Sequence, residues 1–260
     1  MDLDSVPIEQ VVGASRGLHH GSELAEGDPI VSRLQYNLDL VLEENPVVRA
    51  LFAHLESSRV RGVVFGGWAR DHVAASLGHA YSNPRDIDIV IDAVDPKRLV
   101  ETLLGIPTRQ TLFGGLNFIA SDIEIDLWPL HKTFMFERFH LKPDFNHLTN
   151  IADFTINAIV FKPSQLWPSR SVWESGCIKA ISTAQLEFQY SSISFPRIQV
   201  ARAIIYAAKL QLNLNADVAR FLHSHLSSSH DVRDIEHGIR TYCPTHAVGR
   251  AIEILERFSG

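Results

Sequence analysis

The sequence predicts an α+β protein: a mixed sheet with helices over roughly residues 30–165, then an all-helical region from about residue 191 to the end. Three observations predict this. A short apolar run, Gly62-Val63-Val64-Phe65, and an alternating one, Asp86-Ile87-Asp88-Ile89-Val90-Ile91, read as strands. Segments of helical periodicity lie between them. After Ser191 only the helical period remains.

Residues 1–29 mix Gly, Ser, His and acids with weak periodicity and read as a loosely held lead-in. From Ile30, Leu34, Leu38, Val41 and Leu42 recur at helical spacing until Asn45-Pro46 breaks the run, and Val47 to Ser57 forms a second helix. Arg61 to Phe65 is a strand ending at Gly66-Gly67, and residues 69–78 return to the helical period. The strand from Asp86 to Ile91 comes next, then a helix over Pro96 to Leu104 closed by Gly105 and Pro107. Leu116 to Ala120 and Ile123 to Leu127 are strands, and Phe154 to Phe161 is again apolar. A Ser- and Pro-rich stretch, residues 166–190, reads as a linker containing a short strand. Helical periodicity over 196–210, 216–228 and 245–258 then defines a terminal domain, residues 191–260.

Composition narrows the function classes. At 260 residues, 45% hydrophobic and 21% charged, the chain has apolar mass for a real core. A net charge of −6 argues against gripping nucleic acid through bulk positive charge, leaving a local basic groove open. Cys177 and Cys243 form no CxxC, and the 13 histidines form no HExxH, so a reducing compartment and no structural zinc are expected. No apolar run approaches the roughly 20 residues that span a bilayer. The start, MDLDSVPIEQ, is acidic and polar, unlike a secretory signal, and a cytoplasmic protein is expected.

The chemistry concentrates in two places. On a strand Asp86 and Asp88 share one face while Ile87, Ile89 and Ile91 anchor the other. Two carboxylates a pleat apart repel each other unless a cation sits between them. Ile123-Glu124-Ile125-Asp126-Leu127 repeats the design, so acids from two strands could hold one or two Mg²⁺ ions, which prefer oxygen ligands. Two such ions about 4 Å apart activate an attacking hydroxyl and neutralise departing pyrophosphate. Gly66-Gly67, between a strand and a helix, lets backbone approach a phosphate beside free helix N–H groups. Taken singly, the glycines are also consistent with a plain turn, and the acids with a solvated strand face.

In this order the motifs resemble the nucleotidyltransferase fold shared with DNA polymerase β, and more closely the head and neck of bacterial tRNA nucleotidyltransferases and poly(A) polymerases. Gly66-Gly67-Trp68-Ala69-Arg70-Asp71 is similar to the family's Gly-Gly-x-x-Arg-Asp, and Leu77-Gly78 to a Leu-Gly before the acidic strand. Arg85-Asp86-Ile87-Asp88 is similar to Lys/Arg-Asp-Ile-Asp, and Asp153-Phe154-Thr155-Ile156-Asn157-Ala158 to Asp-Phe-Thr-Ile-Asn-Ala. Gly176-Cys177-Ile178-Lys179 looks like the family's Gly-x-Ile-Arg strand, and Arg202 to Leu210 like its neck helix. The resemblance covers roughly residues 60–215 and implies a polymerase-β-like head followed by a neck. It implies that Gly66 and Gly67 cradle the triphosphate with Arg70 and Asp71 beside them, and that Asp86 and Asp88 bind Mg²⁺, with Mn²⁺ as a substitute. Asp126 sits where related enzymes carry a third metal-binding acid. Asp153 and Asn157 would position the nucleotide, and Arg202 would face it from the neck helix.

The sequence also departs from that pattern. Ile151 and Ala152 stand where the family has two arginines, leaving Arg70, Lys132 or Lys142 to meet phosphate. Phe195-Pro196-Arg197-Ile198-Gln199 replaces the base-reading Glu-Asp-x-x-Arg. The chain ends at Gly260, before a helical body and tail that would hold a tRNA. The expectation is a metal-dependent nucleotidyltransferase using ATP or CTP on an RNA hydroxyl, a tRNA end being one candidate, but not a conventional CCA-adding enzyme. Gly66-Gly67-Trp68-Ala69 and Ile125-Asp126-Leu127-Trp128 also look like small antibiotic-modifying nucleotidyltransferases, so a small-molecule or protein hydroxyl is the alternative acceptor. A catalytically silent nucleotide- or RNA-binding module is the third reading.

Overall fold

Capping residues divide the polypeptide where the sequence breaks its apolar patterns. The computed structural model describes residues 8–10, 21–79, 84, 86–93, 95–105, 107–111, 114–138, 142–226 and 228–259; Arg85 of the acidic motif lies outside them. In chain order the elements are β1 (Ile8–Gln10), β2 (Ser22–Leu24), α1 (Pro29–Glu44), α2 (Pro46–Ser57), β3 (Gly62–Phe65), α3 (Gly67–Ser76) and β4 (Asp86–Ile91). Then come α4 (Pro96–Leu104), β5 (Arg109–Gln110), β6 (Leu116–Ala120), β7 (Ile123–Pro129), α5 (Phe134–Arg138), β8 (Ile159–Lys162) and β9 (Ser171–Glu174). The remainder is α6 (Cys177–Ser182), β10 (Gln185–Leu186), β11 (Ser192–Ser194), α7 (Pro196–Lys209), β12 (Asn213–Leu214), α8 (Ala216–His225), α9 (Ser229–Tyr242) and α10 (Val248–Phe258). Among the described residues, no helix is long and apolar enough to cross a membrane.

The chain divides into two units, one over residues 20–151 and 157–177, the other including 152–156 and everything from 178 onward. The first unit is built on an eight-stranded sheet in the order β2-β9-β8-β3-β4-β7-β6-β5. Every neighbouring pair is antiparallel except β4 and β7, which run parallel. Asn45 does two jobs at the α1–α2 break. Its N–H closes α1 on Val41, while its side-chain oxygen caps α2 by accepting from Val47 and Val48. Its amide also donates to the Ala120 carbonyl at 2.7 Å, tying this corner to the sheet. Losing such a cap costs about 1 kcal/mol before the buried carbonyl is counted. Asp28 and Asp95, each followed by proline, start α1 and α4 in the same way. The apolar stripes Val31, Leu34 and Leu38 of α1, and Val48, Leu51 and Leu55 of α2, are fully or almost fully buried.

Three sequence expectations change here. The segment read as lead-in supplies β2, which pairs with β9 at the sheet edge. The segment read as linker supplies β9 itself, an interior strand between β2 and β8. Gly176 to Lys179, expected as a strand, opens helix α6 instead. The reason is local: Gly176 turns at φ +92°, and Cys177, Ala180 and Ile181 are buried at i, i+3 and i+4, a helical stripe.

The second unit is helical, with short ladders of β1 with β11 and β10 with β12. Expected helices form at α7, α8 and α10, and a further one, α9, lies between them. Its sequence, SHDVRDIEHGIRTY, hides the period because, among its described side chains, only Ile235 and Ile239 are buried. Ser228 starts α9 by accepting from the Asp231 N–H.

Candidate active site

The parallel pairing of β4 with β7 assembles the carboxylates. Asp86 lies opposite Glu124 and Asp88 opposite Asp126, so four acids share one face of two adjacent strands. The opposite face carries Ile87, Ile89, Ile125 and Leu127, all buried. Asp86 and Glu124 are exposed, while Asp88 and Asp126 are half-buried. This is the two-residue alternation expected from the sequence, now brought side by side by tertiary pairing.

One neutral group manages part of this charge. Asn117 of β6 lies opposite Asp126 and donates its amide to Asp126 Oδ1 at 3.0 Å and Glu124 Oε1 at 2.7 Å. Burial pushes the Asp126 carboxyl above the usual carboxylate range, the Asn117 hydrogen bond opposes this, and the charges of Glu124 and Asp86 reinforce it. Sequence reading missed Asn117, and its signal was available: it is the polar member of an otherwise alternating strand, Leu116-Asn117-Phe118.

Gly66 and Gly67 stand next to the acids because Phe65, the last residue of β3, pairs with Asp88. Gly66 adopts φ +69° and ψ −120°, a conformation open to glycine, and its N–H donates to the Ile159 carbonyl at 3.0 Å. A Cβ there would meet nothing within 4 Å, so the backbone angle, not crowding, requires the glycine. Helix α3 begins without a side-chain cap, leaving its first-turn N–H groups available to an anion.

Arg70 and Asp71 of α3 face the interior. Both are 3% exposed. Arg70 Nε donates to Asp71 Oδ1 at 2.7 Å and its Nη1 to Asn157 Oδ1 at 2.6 Å. The guanidinium is thus engaged inside the first unit, joining α3 to Asn157. His72 stacks edgewise on buried Trp68, and burial, reinforced by Arg33 and opposed by Asp71, lowers its pKa to about 4. Lys132 and Lys142, the other cations considered for phosphate, are exposed.

Asp153 and Arg202 meet in the second unit. Arg202 Nε and Nη2 approach Asp153 Oδ2 at 2.7 and 2.6 Å, and Nη2 donates to the Tyr206 hydroxyl at 2.9 Å. Burial and the Asp153 charge push the Tyr190 phenol well above its ordinary range. Arg197 is drawn to Asp231 of α9 at 2.8 Å, and Gln199 keeps a buried amide oxygen with no hydrogen-bond partner among the described residues.

The face of Asp86, Asp88 and Asp126 offers the hard oxygen donors that Mg²⁺ takes, and its accumulated negative charge fits a cation. Among the described residues, no three His, Cys, Asp or Glu side chains are gathered closely enough to hold a metal ion as they stand.

No protein-family model matches the chain, and no curated protein matches it by sequence. Solved structures do. A CCA-adding enzyme in complex with ATP is 17% identical with a TM-score of 0.61, covering 91% of this chain and 55% of that one. The Thermotoga maritima CCA-adding enzyme complexed with tRNA is 14% identical with a TM-score of 0.61, over 91% and 54% of the two chains. A tRNA nucleotidyltransferase with a primer tRNA and an incoming ATP analogue is 15% identical with a TM-score of 0.58, over 80% and 60%. The chain therefore spans between half and two thirds of the structures it matches. What the likeness establishes is the fold: this α+β chain has the architecture of the head sheet and following helices of tRNA nucleotidyltransferases.

Proposed function

We propose that the protein is a metal-dependent nucleotidyltransferase that moves a nucleoside monophosphate from an NTP to an RNA hydroxyl and releases pyrophosphate. The observation that carries this reading is the pairing of Asp88 with both Asp126 and Phe65, which sets the acidic face beside the Gly66-Gly67 turn. Proteins of the same fold have been captured with ATP, CTP and tRNA. Ile151 and Ala152, together with the Phe195–Gln199 stretch, separate this chain from conventional CCA addition, and ATP or CTP is the expected donor.

Asp86, Asp88 and Asp126 would hold Mg²⁺, or Mn²⁺ in its place, which supplies charge neutralisation at the phosphates and a more acidic acceptor hydroxyl. Gly66 and Gly67 let the triphosphate approach the backbone, and the uncapped start of α3 donates N–H groups to it. Buried Arg70 acts by position, fixing α3 through Asp71 and Asn157. The acceptor oxygen forms a bond to the α-phosphorus while the bond from that phosphorus to the bridging oxygen breaks. Pyrophosphate leaves with the electron pair, and the hydroxyl proton passes to a carboxylate of the acidic face, Asp126 or Glu124. Asp153 with Arg202 belongs to the nucleotide's positioning in the family pattern. A soluble protein of the cytoplasm is the expected setting.

A net charge of −6 favours a second reading, the same transfer to a small cationic molecule. The test is a transfer assay with each α-labelled NTP, Mg²⁺ or Mn²⁺, and total RNA, run beside Asp88→Asn. Label should enter RNA with the wild type and fall about a thousandfold in the variant, matching the several kcal/mol a metal ligand supplies. Equal labelling by both proteins would refute the metal assignment. Bound NTP without RNA labelling would turn the reading toward a small acceptor.

A further inference from the structure

The register of the sheet extends the acidic row by one residue that the catalytic reading does not use. Phe65, Asp88, Asp126, Asn117 and Arg109 lie directly opposite one another across β3, β4, β7, β6 and β5. Directly paired residues project to the same face of a sheet. Arg109 therefore stands on the face of the carboxylates, two strands beyond Asp126, on the edge strand. With neighbouring strands separated by 4.7–4.9 Å, that is roughly 10 Å of backbone distance. The Gly66-Gly67 turn lies on the other flank, at the end of β3. The two strands that carry the acids thus have a phosphate-cradling turn on one side and an arginine on the other.

Among the described residues, some arginines of this unit are held by carboxylates, and others, namely Arg33, Arg49, Arg59, Arg98 and Arg109, are not. Arg61 pairs with Asp92 at 2.7 Å, Arg70 with Asp71, and Arg170 with Glu26 at 3.1 Å. Arg109 is exposed and makes no ion pair among the described residues, although it faces an acidic surface. The intervening Asn117 accounts for this, since its amide already engages both Glu124 and Asp126. The guanidinium has no hydrogen-bond partner among the described residues.

We propose that Arg109 is the acceptor-side contact of this site and binds the phosphodiester backbone of a single RNA strand whose terminal hydroxyl lies at Asp126. The inference rests on the nucleotidyl-transfer reading and names the residue that would meet its acceptor. With the triphosphate on the Gly66-Gly67 flank, the attacking hydroxyl enters from the opposite flank, where its upstream phosphates come within an arginine's reach. A polyanion approaching four carboxylates needs a cation at the point of entry. Consistently, Arg109 is the cation whose charge partly offsets the environment of Asp126.

The experiment measures fluorescence anisotropy of a 5′-labelled 12-nucleotide RNA with wild type, Arg109→Ala and Arg109→Lys, between 50 and 200 mM salt. Arg109→Ala should bind about tenfold more weakly, with the log–log salt slope shallower by about 0.7, the value for one contact to a single strand. Arg109→Lys should keep the slope. In the transfer assay the KM for the oligonucleotide should rise in Arg109→Ala while the KM for NTP does not follow. Unchanged RNA affinity and slope, no RNA binding by the wild type, or a rise confined to the KM for NTP would each overturn the proposal. Absence of transfer, or an Asp88→Asn variant as active as wild type, would instead bring down the catalytic reading, and anisotropy would still decide the role of Arg109.

Discussion

Two acidic clusters of the first unit are handled in opposite ways. Asp71 is buried and matched by Arg70, which Asn157 also holds. Asp86, Glu124 and Asp126 make no ion pair among the described residues, and two of them share one neutral amide. A carboxylate that serves the fold has been given its countercharge inside the protein. Carboxylates left crowded on a half-open face carry a standing repulsion that an incoming cation relieves. Asp153 with Arg202, in the second unit, follows the matched pattern.

Breaking the matched cluster should have the largest effect. Arg70→Met removes the guanidinium from a buried carboxylate and should destabilise the protein by about 3–5 kcal/mol, read as a lower urea midpoint. Adding Asp71→Asn should restore part of that loss, since the uncompensated charge goes with it. A single variant as stable as wild type would mean that the pair contributes nothing to the fold.

The next effect concerns His72, a buried neutral group beside the same cluster. Its folded pKa, about 4, lies below the ordinary 6.5. Between those values the unfolded chain binds more protons, so stability rises with pH across that window. The contribution is fully present above 6.5 and is lost as pH falls toward 4. It should amount to on the order of 2 kcal/mol. Urea titrations at several pH values should show His72→Gln flattening this slope; an unchanged slope would assign the acid sensitivity to other groups.

The smallest effect sharpens the comparison from the other side. Asp126→Asn removes one of the like charges and should leave stability unchanged or raised by up to about 1 kcal/mol, while transfer falls steeply. A clear loss of stability would show that Asp126 is structural, like Asp71, and would return the unmatched cluster to the fold.

Much of this site was legible in the residues themselves. The two-residue period of Asp86–Ile91 and Ile123–Leu127 put acids on one face and isoleucines on the other, because side chains alternate along any strand. Asn45-Pro46 and Gly66-Gly67 marked breaks that local sterics impose whatever surrounds them. Helix α9 was not legible, because its buried stripe is too sparse to stand out from a polar sequence. Nor was the role of Gly176, whose positive φ ends a strand and starts a helix.

Sequence alone determined which residues could share a face and where the chain must turn, since both follow from the covalent geometry of neighbours. Only tertiary structure decided that β4 and β7 lie side by side and parallel, that Arg70 turns inward to Asn157, and that Arg109 and Asn117 continue the row of acids. Those are pairings between segments far apart in the chain. They are selected by how the buried faces of the whole sheet pack, and local spacing carries no record of that choice.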